Sequence, residues 1–64
     1  MTPRAARAVA ARLGVVFYLD ASLRLWAMYS EAGEKAAEYW PPAALKACTA
    51  EAFEQAAREY RSEK

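Results

Sequence analysis

Apolar positions recur three and four residues apart through Ala8, Val15, Leu19, Leu23, Trp26 and Tyr29, with Arg12 interrupting the row. The opposite row, Arg4, Arg7, Ala11, Gly14, Ala21, Arg24, Glu31, Lys35 and Glu38, is small or charged. That division is what an amphipathic helix requires, and it predicts one long helix over residues 3–39. Thr2-Pro3 supplies its start, a capping hydroxyl followed by a proline where the missing N–H has no partner to lose. Asp20 and Arg24, like Glu31 and Lys35, stand four apart in the acid-first order that supports a helix. Two features pull the other way. Gly14 costs about 1 kcal/mol relative to alanine inside a helix, and the run Val15-Val16-Phe17-Tyr18-Leu19 has the β-branched and aromatic composition of a strand, the second choice for that segment. Ser30 to Gly33 offers a break or kink.

The pattern stops firmly at Trp40-Pro41-Pro42. Pro41 pushes Trp40 out of the helical region, and Pro42 is suited to open a new helix. A helical arm over residues 43–61 is expected after this break. It comprises a short piece from Ala43 to Cys48 and then a helix capped by Thr49, with Glu51 in its first turn. Phe53, Ala56 or Ala57, and Tyr60 line one face of that arm.

Composition gives the same class. Seventeen alanines against two glycines and three prolines in 64 residues predict an all-α chain with little turn chemistry. Size adds a second expectation, because a chain this short buries only about 60% of the surface it exposes when unfolded. The usual staples are absent: Cys48 is the only cysteine, so no internal disulfide forms, and without histidine there is no credible zinc site. The chain is therefore expected to lack an independent globular core and to gain its stability by association.

Charge and motifs exclude most chemistry. The net charge of +1 is split unevenly, +3 over residues 1–29 and −2 over residues 30–64. Val15 to Tyr29 holds twelve apolar residues in fifteen, but it is too short for a membrane span and carries Asp20 and Arg24 in its middle. Ala10-Ala11-Arg12-Leu13-Gly14-Val15 looks like the first half of a helix-turn-helix. The second half departs from it, since Asp20 falls where an apolar packing residue belongs and Phe17, Tyr18 and Leu19 fall where polar groups should meet bases. No nucleic-acid partner is expected. The absence of histidine removes the commonest general base, Cys48 has no neighbouring activator, and no phosphate-binding glycine loop exists. No catalytic, cofactor-binding or metal-ligating residue is assigned.

What remains is contact surface. Eight aromatics are a large payload for so short a chain, and tryptophan, tyrosine and arginine are the residues that anchor interfaces. Val16, Leu19, Leu23, Trp26, Tyr29, Trp40, Phe53 and Tyr60 are the candidate interface residues, with Arg4, Arg7 and Arg12 as the candidate contacts to an anionic surface. Met1 to Leu13, rich in arginine and alanine and free of acid, has the composition of a mitochondrial transit peptide that is here retained. The expectation is a non-catalytic structural or accessory subunit of a larger assembly with other protein subunits as partners, in the setting of a mitochondrial respiratory or ATP-synthase complex, with a cytoplasmic location as the fallback. The alternatives are a self-associating bacterial helical regulator or adaptor acting as a homodimer, and a peripheral helix lying on a membrane surface.

Overall fold

In the computed structural model, residues 1–30 and 36–62 are described. The element order is α1 (Pro3–Arg12), β1 (Val15–Asp20), β2 (Leu25–Ser30), β3 (Glu38–Trp40), α2 (Pro42–Ala47) and α3 (Ala50–Ser62). The three strands form one antiparallel sheet in the order β1-β2-β3. The all-α class and the single helix over residues 3–39 are thereby overturned: the chain is α+β.

The physical reason lies in residues 14–29. Thr2 does cap α1, its hydroxyl accepting from the Ala5 amide at 3.2 Å, with Pro3 in the first turn. Gly14, however, ends this helix rather than interrupting a longer one. It sits at φ +77°, the left-handed conformation that glycine reaches without penalty just past a helix terminus. The chain then runs as a strand of β-branched and aromatic residues, turns, and returns as Leu25–Ser30. The hairpin register pairs Phe17 with Met28 and Leu19 with Trp26. Asp20 and Arg24 are therefore not a helical ion pair. Asp20 Oδ1 accepts from the Ser22 amide (3.0 Å), the Ser22 hydroxyl (2.6 Å) and the Leu23 amide (3.2 Å), fixing the tight loop, while Arg24 takes the left-handed conformation at φ 56°. The expected kink at Ser30–Gly33 and the Glu31–Lys35 pair lie outside the described residues, apart from Ser30, which closes β2.

The predicted break at residues 40–42 is a change of element, not of helix direction. Trp40 ends β3, pairing with Trp26, and Pro42 opens α2. The arm over residues 43–61 is two helices, α2 and α3, with the Thr49 hydroxyl accepting from the Ala52 amide at 3.1 Å to cap the second. The ammonium group of Met1 donates to the carbonyls of Leu45 (3.0 Å), Lys46 (3.2 Å) and Cys48 (2.7 Å), satisfying the open end of α2.

A core does form, which corrects the expectation that the chain has none. Phe53 of α3 sits at its centre, fully buried, edge-on to Phe17 at 5.1 Å and tilted against Trp40 at 5.4 Å. Phe17 stacks on Trp26 at 5.3 Å with the rings 6° from parallel. Ala6, Val9 and Ala10 of α1 and Ala57 of α3 line the helical side of the same cluster, and their small side chains suit close packing of helix on sheet. Tyr60 closes one end, its hydroxyl donating to the Ala36 carbonyl at 2.9 Å. The helices thus cover one face of the sheet.

Candidate interaction face

Side chains alternate across a strand, so the register decides which residues share a face. Val15, Phe17, Trp26, Met28 and Trp40 point towards the helices, and all but Trp40 are buried. The opposite face is formed by Val16, Tyr18 and Asp20 of β1, Leu25, Ala27 and Tyr29 of β2, and Tyr39 of β3. No described helix belongs to that side. Ala27 is its floor: it pairs with Tyr18 on one flank and Tyr39 on the other, and it has no exposed surface. The two tyrosines stand over it with 38% and 47% of their surface exposed. Tyr29 meets Tyr18 edge to face, the ring centres 5.4 Å apart and the planes at 90°.

The face is almost free of charge. Among the described residues of this face Asp20 is the only Asp, Glu, Lys or Arg, and its Oδ1 accepts the hydrogen bonds of the turn. The Ser22 hydroxyl and then the Leu23 amide hold the Asp20 carboxyl below the usual carboxylate range. The Tyr18 hydroxyl is pushed the other way, above its ordinary value, first by desolvation and then by the Asp20 charge and the neighbouring Tyr39 and Tyr29. Among the described residues this face carries no lysine or arginine.

The residues named from sequence as an interface do not share one surface. Trp26, Phe53 and Tyr60 belong to the core, and Trp40 is half-buried against Phe53. Its Nε1 is buried with no acceptor among the described residues. Val16 and Tyr29 stand together on the outer face. Leu19 and Leu23 are exposed at the hairpin end, at 46% and 51%. Arg4, Arg7 and Arg12 are exposed on α1, with the Arg7 guanidinium 5.4 Å over the Trp26 ring. The sequence reading missed Tyr18, Tyr39, Leu25 and Ala27. A period of two in Val16/Tyr18 and Ala27/Tyr29 was the available signal.

The described residues hold no cluster of metal-ligating side chains: no group of three or more acids, cysteines or histidines converges. The Cys48 thiol donates to the Thr49 carbonyl at 3.3 Å. An apolar groove beside Trp26, Pro42 and Leu45 has Lys46 as its only ionisable side chain. No described helix is long and apolar enough to cross a membrane. No family model, curated protein or solved structure matches the chain.

Proposed function

We propose that this chain is a non-catalytic accessory subunit that docks on another protein through the bare face of its sheet. One observation carries the proposal: the exposed Tyr18 and Tyr39, with the half-buried Tyr29, form an aromatic surface with little charge among the described residues, over a fully buried Ala27 on the side of the sheet away from the helices. Tyrosine is enriched at interface centres because it offers a large stiff apolar ring with a polar tip. Strand residues fix these rings better than a loop would, so little ordering entropy is lost on docking.

The test replaces Tyr39 and Tyr18 in turn with a photo-crosslinking amino acid in the cells that make the protein, with Arg58 on the exposed side of α3 as control. The proposal expects a discrete, stoichiometric cross-linked species from both tyrosine positions and none from Arg58. In the recovered complex, Tyr39→Ala should weaken association about 30-fold or more, as for an interface hot spot. Equal cross-linking from all three positions, or a complex indifferent to Tyr39→Ala, overturns it.

A further inference from the structure

An apolar groove of about 340 Å³ opens on the helical side of the sheet, between the start of α1, the Trp26 end of β2, and α2. That volume falls at the lower end of the range for small-molecule sites. Pro3, Trp26, Pro42 and Leu45 are its apolar walls, and Lys46 lines it as an exposed cation. Phe17 stacks on one face of the Trp26 ring and the Arg7 guanidinium covers the other, so the ring gives the groove its edge. Arg7 is one turn along α1 from Pro3, and Lys46 is one turn along α2 from Pro42, so both cations stand on the helix sides that wall the groove. Neither forms an ion pair among the described residues. The three segments that build the groove, residues 1–13, 25–30 and 41–49, contain no aspartate or glutamate.

The polar groups of the walls are engaged within the chain. The Thr2 hydroxyl and carbonyl accept from the Ala5 and Ala6 amides at 3.2 and 3.0 Å, and the Leu45 and Lys46 carbonyls accept from the Met1 ammonium group. Pro3 and Pro42 have no N–H to offer. A peptide main chain or a polar ring entering here would lose its hydration without finding new hydrogen bonds. A saturated chain needs none, and the unpaired cations suit an anionic head.

We infer that this groove binds a medium-chain carboxylate, with its alkyl chain on Pro3, Trp26, Pro42 and Leu45 and its carboxylate on the Lys46 ammonium group, where Arg7 adds to the positive field. The site is separate from the tyrosine surface, since Trp26 and Tyr39 lie on opposite faces of the sheet. An open groove must order a flexible chain, so the dissociation constant for laurate should be on the order of 100 μM. Calorimetric titration of the full chain with laurate, below its micelle concentration, should give a single saturable site. Dodecylammonium, the same chain with the opposite charge, should bind about tenfold more weakly or worse, and so should hexanoate, which keeps the head and loses half the chain. Lys46→Glu should weaken laurate about fivefold or more, whereas Lys46→Arg should hold it within about twofold. In nuclear magnetic resonance spectra, laurate should shift the Trp26 indole N–H signal and leave the Tyr18 and Tyr39 ring signals in place, a readout that stands even if Lys46→Glu does not fold. The absence of saturable binding, equal binding of laurate and dodecylammonium, or shifts confined to Tyr18 and Tyr39 would overturn the inference. So would displacement of laurate when the chain enters its complex, which would assign the groove to a side chain of another protein.

Discussion

The two faces of the sheet use the same kinds of side chain and meet opposite fates. On the helical side, Phe17 and Trp26 are locked between Phe53 and the small-residue face of α1, at 5% and 9% exposure. On the other side, Tyr18 and Tyr39 flank Ala27 and remain open. The difference shows what three helices on a three-stranded sheet can do: they bury one face and stop. An antiparallel sheet with a solvated face ordinarily carries polar residues there. This one carries valine, leucine, alanine and three tyrosines with Asp20 at its end, so the comparison separates residues that hold the fold from residues left available for contact.

The strongest way to break that comparison is to empty the core. Phe53→Ala should cost about 3–5 kcal/mol, a large share of the few kcal/mol available to a chain of this size. Urea denaturation should find the variant mostly unfolded at 25 °C, and a near-wild-type midpoint would mean that Phe53 is not the centre of packing. Tyr39→Ser should sharpen the contrast: it removes surface exposed in the free chain, so its folding cost should stay within about 1 kcal/mol, the span of strand propensity, while partner binding falls sharply. Trp40→Phe is a subtler case. Its Nε1 has no acceptor among the described residues, so losing the N–H forfeits no hydrogen bond, and stability should change by less than about 1 kcal/mol. A larger loss would mean that the indole packing on Phe53, which a phenyl ring does not fully replace, outweighs the relief of the N–H.

The smallest expected effect concerns the hairpin loop, where Asp20 is bound as a carboxylate. Because its folded pKa is depressed, it favours the folded state fully above the ordinary carboxylate pKa of about 3.9, and that contribution fades as the pH falls through the lower folded value. The urea midpoint of the wild type should therefore exceed that of Asp20→Asn at pH 6, and the gap should narrow in acid. A gap that widens on acidification would contradict the Asp20 contacts.

Much of this fold could be read locally and little of it globally. The Thr2-Pro3 start, the Thr49 cap and the proline that opens α2 are short-range signals, each fixed by one or two hydrogen bonds, and each is present in the structure. Val15 to Tyr29, with twelve apolar residues in fifteen, matches a helical spacing whatever its conformation, so periodicity does not discriminate there. Composition was the better guide there. Two five-residue apolar runs separated by Asp20-Ala21-Ser22-Leu23-Arg24 have the shape of a hairpin, and Asp20 at the head of the loop is a residue that ties a turn. On a helical spacing Trp26 and Tyr29 fall on one stripe. As strand residues they differ by an odd number and lie on opposite faces, which is why the interface set dispersed and the tyrosine surface went unseen.

The central claim is that the bare face of the sheet is covered in the working assembly. Side-chain footprinting by hydroxyl radicals, read residue by residue in the native complex and in the isolated chain, tests it most directly. Tyr18 and Tyr39 should be labelled freely in isolation and become protected in the complex, while Tyr60, at 4% exposure, should be weakly labelled in both. Equal labelling of Tyr18 and Tyr39 in the two states, with protection appearing instead along α1 or α3, would contradict the account.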